Sequence, residues 1–183
     1  MARTRSANED TVMSSADPLA DGYEVVVKFT AQYHAEAHRR LAAKGFAPVL
    51  HACVPVCGGL FMVVMDRVHG ELAWDLVRRR PIPHDVYKDI HDAIMMLHSD
   101  NLVFGDLRTP NIMVVPDGSG LDTPCRGVLL DFDWVGTHGI GRYPDSLDDG
   151  LVDWASGIKR YAIMDKAHDI AMLKKFEDQC RSV

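Results

Sequence analysis

Long apolar runs are missing from this sequence: the longest, Leu60–Met65, has six residues, against the roughly twenty a helix needs to span a bilayer. A membrane-spanning role is therefore not expected. Cysteine is scarce as well, with four in 183 residues, which excludes the disulfide framework of a small secreted domain. Cys53 and Cys57 stand at C-x3-C, but no second pair at metal-ligand spacing follows, so free thiols in a reducing, intracellular compartment, cytoplasmic or nuclear, are the expectation. Positive charge is not in excess: 20 Lys and Arg face 26 Asp and Glu, a net charge of -6. Broad electrostatic binding to nucleic acid or to an anionic membrane needs the opposite sign. The short run Arg78-Arg79-Arg80 reads as a helix end, with cations near the negative pole of the dipole.

The 47% of hydrophobic residues and 25% of charged ones match an ordinary globular domain. Residues 1–21 are polar, small and unpatterned and read as a flexible tail; residues 22–183 form the domain. Tyr23–Phe29 (YEVVVKF) is a predicted strand and Tyr33–Lys44 a helix stopped by Gly45. Val49–Val56 and Leu60–Met65 flank Cys57-Gly58-Gly59 as an antiparallel hairpin. A short helix is expected over Glu71–Arg79. Val86, Ile90, Ala93, Ile94 and Leu97 mark one face of an amphipathic helix over Asp85–Ser99. Strands Ile112–Val115 and Val128–Leu130 flank the turn-rich PDGSGLDTP, Gly136–Gly150 reads as loop, and Lys166–Gln179 as a final helix. Strands early and helices late predict an α+β fold of two unequal lobes.

The chemistry concentrates in two segments. Phe104-Gly105-Asp106-Leu107-Arg108-Thr109-Pro110-Asn111 lies between the long helix and a strand; Leu129-Leu130-Asp131-Phe132-Asp133-Trp134 ends the next strand. An Asp five residues before an Asn, with another Asp about twenty residues on at a strand end, suits phosphoryl transfer. One carboxylate orients a hydroxyl and accepts its proton, while the Asn oxygen and the second carboxylate hold Mg2+ against a triphosphate. Hard oxygen donors are what Mg2+ prefers.

These segments resemble the catalytic loop and the metal-binding DFG region of the protein kinase-like superfamily. HSDNLVFGDLRTPNIMVV, LLDFDWVGTHGIGRYP and KAHDIAML are similar to stretches of the fungal protein kinase-like domains, and the resemblance covers most of Tyr23–Phe176. It implies a two-lobed fold with a reduced β lobe over about 22–68 and a short, mainly helical lobe over 69–183. It implies ATP and Mg2+ as cofactors, with Asp106 orienting the acceptor hydroxyl and Arg108 placing positive charge near the transferring phosphate. Asn111 and Asp131 are the implied metal ligands, and Asp133, in place of the DFG glycine, a second carboxylate beside them. Lys28 resembles the strand lysine that contacts the α and β phosphates, and Glu36 its ion-pair partner on the following helix. Met65, Asp66 and Val68 correspond to the hinge whose backbone binds adenine. Asp169, after His168, resembles a buried acid that anchors the catalytic loop.

The pattern also departs from the family. Only Gly22 precedes Lys28, so no glycine-rich G-x-G-x-x-G covers the phosphates, and Phe104 replaces the histidine of the usual H-R-D triplet. Gly136-x-x-Gly139-x-Gly141 follows the metal-binding Asp and reads as an activation-type segment. Three readings stay open: an ATP-dependent phosphotransferase acting on a hydroxyl, nominally a protein Ser or Thr; a small-molecule kinase of the aminoglycoside and choline kinase type; and a pseudokinase serving as a nucleotide- or protein-binding module.

Overall fold

The computed structural model describes residues 24–118, 124–148, 150 and 154–181. The expected tail over 1–21 and Tyr23 lie outside the described residues. The first strand, β1, runs Val25–Thr30, followed by α1 (Ala35–Ala42), β2 (Leu50–Val56) and β3 (Leu60–Asp66). β3 is central, with β1 and β2 antiparallel on either side. The β2–β3 hairpin matches the sequence reading. Its turn works because Gly58 and Gly59 take φ of 81° and 73°, values that cost a side chain about 1 kcal/mol or more.

In sequence, β4 (Glu71–Leu72), α2 (Ala73–Leu76), β5 (Ile82–Pro83), α3 (His84–Ser99) and β6 (Leu102–Val103) follow. The helix expected over Glu71–Arg79 is therefore shorter: Glu71 and Leu72 pair with Val114 and Met113 of β7 (Ile112–Pro116) instead. β7 also pairs with β8 (Cys125–Leu129), so a second three-stranded sheet forms. The expected loop from Gly136 opens with a strand, β9 (Gly136–Thr137), paired with β6. α4 (Lys166–Glu177) is capped by the Asp165 carboxylate, which accepts from the Ala167 N–H at 2.8 Å, and β10 (Cys180–Arg181) lies parallel to β5.

The five apolar positions predicted for α3 are its buried ones, each 0% exposed. They sit in the main core with Leu107, Ile112, Leu129, Phe132, Leu173 and Phe176. A separate small cluster, Leu50, Val63 and Met65, lies in the upper sheet. α1 adds Ala37 and Leu41 to the main core, which ties the helix of the upper sheet to the larger lobe. Among the described residues no helix is long and apolar enough to cross a membrane.

Candidate active site

The loop carrying Asp106 is held from below. Asp169, in the first turn of α4 and 1% exposed, accepts from the N–H groups of Phe104 (2.8 Å) and Gly105 (3.0 Å) and contacts His98 Nε2 at 3.0 Å. Two backbone donors and one side chain satisfy a carboxylate that burial alone would penalise. Gly105 has φ of 83°, and a Cβ there would lie 2.4 Å from Met164 Cε and 3.1 Å from the Trp134 carbonyl oxygen. The residue before Asp106 must therefore be glycine for the chain to pass this close.

Asp106 is 7% exposed. Arg108 grips both of its oxygens, through Nε to Oδ1 and through a terminal nitrogen to Oδ2 at 2.8 Å, and its guanidinium lies over the Trp154 ring, 4.8 Å from the centroid. That hydrogen bond to Asp106 is the main reason the Arg108 pKa is raised, and the charge of Asp131 adds to it. Asn111 donates from Nδ2 to the Asp106 carbonyl at 3.0 Å, which makes Oδ1 the atom of this side chain that a cation would meet. The Asn111 carbonyl in turn accepts from the Leu130 N–H at 2.8 Å. The two sequence segments are thus joined directly, Asn111 to the residue before Asp131.

Asp131 takes the left-handed conformation, with φ of 63°, uncommon for a residue with a side chain and concentrated at functional sites. Lys28 Nζ lies 2.7 Å from Asp131 Oδ1 and 2.8 Å from Asp133 Oδ1. Thr30, two residues along the same face of β1, donates to Asp133 Oδ2 at 2.8 Å. Burial lowers the Lys28 pKa, but the hydrogen bonds and charges of Asp131 and Asp133 more than offset it and the net shift is upward. Asp133 is raised, first by burial and then by the neighbouring Asp131 charge, against the pull of Lys28 and Thr30.

Glu36 does not join this cluster. It is exposed on α1 and lines a separate groove of about 660 Å3 with His34, Arg39, Arg40 and Asp100. One helical step inward, His38 is fully buried. The helix phase decides this: Ala37, His38 and Leu41 form the buried face, and Glu36 falls outside it. Met65 is buried, Val68 half-buried, and Asp66 pairs with His51; all three lie where the upper sheet leads into the larger lobe. Thr30, Tyr33 and His38 were not singled out from the sequence. Thr30 was legible from the two-residue period of a strand that starts from Lys28, and His38 from its place among the apolar positions of α1.

The donor set suits Mg2+. The oxygens of Asp131 and Asp133 converge on one cationic nitrogen, and Asp133 Oδ1 is a buried atom without an aligned hydrogen bond. Among the described residues no three His, Cys, Asp or Glu side chains make a metal site by themselves. A cation here would take Asn111 and phosphate oxygens as further ligands, the mode in which Mg2+ is commonly bound beside nucleotides.

No protein-family model matches the chain, and no curated protein matches it. Among solved structures, that of the kinase PK-1 of the Cydia pomonella granulovirus is similar, with a TM-score of 0.64 and 20% sequence identity over 87% of this chain and 60% of that one. The likeness shows an α+β, protein kinase-like fold. The chain spans about 60% of the length of that kinase.

Proposed function

We propose that the chain is an ATP-dependent phosphotransferase of protein kinase-like type, passing the γ-phosphate to a hydroxyl, nominally a protein Ser or Thr. The observation that carries this reading is the convergence of Asp131 and Asp133 on Lys28, with Asn111 hydrogen-bonded next to Asp131 and to the backbone of Asp106. In this reading a bound Mg2+ would supply the positive charge that neutralises the phosphates. Asn111, Asp131 and Asp133 would hold it, Lys28 would turn from the carboxylates to the phosphates, and the backbone of Met65, Asp66 and Val68 would face the base. Asp106 orients the acceptor hydroxyl and takes its proton at a carboxylate oxygen that Arg108 shares, while Arg108 adds positive charge near the transferred group. The narrower likeness to fungal protein kinase-like domains rests on the sequence strings alone.

A second reading, a pseudokinase that binds without transferring, is favoured by Lys28 filling the space between the carboxylates. Thermal unfolding with ATP, with and without Mg2+, tests both. Ligand binding to the folded state must raise Tm; the expected rise needs Mg2+ and is lost in Asp131→Ala. Equal shifts with and without Mg2+ in both proteins would refute the metal site. A Mg2+-dependent shift without transfer of radiolabelled phosphate to any protein or small hydroxylated acceptor would favour the binding module.

A further inference from the structure

Resting on the phosphotransferase reading, we infer that Tyr33 and His38 are positioning residues: a hydrogen-bonded pair that ties α1 to the Asp131-Phe132-Asp133 segment. The His38 ring is stacked on the Phe132 ring, with centroids 4.4 Å apart and planes 4° from parallel. Its Nε2 lies 2.8 Å from the Pro48 carbonyl oxygen and its Nδ1 2.6 Å from the Tyr33 hydroxyl. A carbonyl only accepts, so the proton sits on Nε2, and Nδ1 must accept from the Tyr33 O–H. Both nitrogens of a fully buried imidazole are thereby satisfied, in one orientation only.

The other side of the pair reaches the phosphate-facing groups. The Tyr33 ring lies edge-on to Phe132 at 6.3 Å and within 5.9 Å of Lys28 Nζ, an arrangement in which the ring face attracts the ammonium. The His34 N–H donates to the Phe132 carbonyl at 3.1 Å, a backbone tie parallel to the side-chain one. Phe132 then meets Phe104 edge-on at 5.7 Å, two residues from Asp106. A leucine at 38 would fill the same space without fixing a ring plane. What the Tyr33–His38 bond adds is a set orientation for Phe132, hence for the left-handed Asp131 before it, and a fixed ring beside Lys28 in addition to its two carboxylates. The position of α1 and the geometry of the metal-facing carboxylates are in this way one variable.

Two variants separate the parts. Tyr33→Phe keeps both ring contacts and removes the hydroxyl; His38→Gln keeps a donor and an acceptor and removes the stack. The first measurement is hydrogen exchange at single amides of the full chain without nucleotide. The amides of His34 and Asp133, the latter bonded to Asp131 Oδ1 at 3.2 Å, are expected to exchange about tenfold faster in both variants, with the β7–β8 amides unchanged. Unchanged exchange at the two amides, or equal acceleration everywhere, would overturn the inference whether or not the protein transfers phosphate. The second measurement is steady-state phosphotransfer, read on the variants that remain folded. Misplacement of the reacting groups is expected to lower kcat roughly ten- to a hundredfold and to raise KM for Mg-ATP, with KM for the acceptor unchanged. A wild-type kcat in both variants would overturn the positioning role, whereas a wild-type protein that neither binds nor turns over Mg-ATP would instead refute the phosphotransferase reading.

Discussion

Lys28 is the only cation within salt-bridge distance of Asp131 and Asp133 among the described residues, so its removal leaves two adjacent carboxylates facing each other. Lys28→Met is expected to cost about 1–3 kcal/mol at neutral pH, between the worth of an exposed pair and the cost of breaking a buried one, because these groups are partly exposed. The sign of its pH dependence follows from Asp133. Its folded pKa is already raised above 3.8, and without Lys28 it rises further, so the penalty is present above that folded pKa and is relieved as pH falls through it. Comparing Tm of wild type and variant between pH 4 and 8 checks this: a penalty that grows on acidification would contradict the assignment. At Asp106 the expectation concerns rate. Asp106→Asn keeps the shape and removes the proton acceptor, so transfer should fall by roughly 10²–10⁴ while Mg-ATP affinity, measured by calorimetry, stays within a few-fold. Full activity in that variant would mean that the catalytic loop has been placed wrongly.

At the scale of elements, α1 and β1 carry opposite consequences. α1 buries His38, whose pKa burial lowers to about 4. Because the folded value lies below the unfolded one, near 6.5, the stability of the neutral, bonded ring is fully present above pH 6.5. It is lost progressively as pH falls toward 4, amounting to about 3 kcal/mol in total. Denaturant titrations at pH 7 and pH 4.5 should show this loss in wild type and a smaller one in His38→Gln. β1 is an edge: among the described residues it pairs with β3 alone. The Arg67 N–H donates to the Glu24 carbonyl, so alternation along an antiparallel pair turns the backbone groups of Val25, Val27 and Phe29 outward. Val27 and Phe29 are 50% and 58% exposed. Such an edge is a template for pairing with other chains, and Val27→Lys is expected to raise the temperature at which light scattering appears on heating. Unchanged scattering would show that aggregation starts elsewhere.

For the whole molecule, the join between α4 and the Asp106 loop decides whether the larger lobe and the site hold together. Asp169→Ala would leave the Phe104 and Gly105 N–H groups buried without their acceptor, at a cost of about 3–5 kcal/mol. For a chain of 183 residues, that lowers Tm by roughly 6–20 °C at about 2–4 °C per kcal/mol. A shift under 2 °C would mean that other contacts position the loop. The two buried clusters differ in kind. The main core is built on α3 and α4, while the upper sheet holds three buried apolar residues of its own, which makes α1 its principal anchor to the rest.

Local patterns were enough for much of this architecture. The spacing of Val86, Ile90, Ala93, Ile94 and Leu97 determined a helix and its buried face, and paired glycines at 58 and 59 determined a hairpin, because each depends on backbone geometry within a few residues. The order of Asp106, Asn111 and Asp131 likewise marked two segments that the fold joins through Asn111. Other features needed the fold. Glu71–Leu72, Leu102–Val103 and Gly136–Thr137 are strands of two residues each, too short to show a period, and they exist only because a partner strand arrives from elsewhere in the chain. Which residue of α1 meets Phe132 was also decided there. Glu36 and His38 are two residues apart on one helix, and which of them turns inward depends on how α1 rolls against Phe132 and Leu41, a packing choice that no single segment contains.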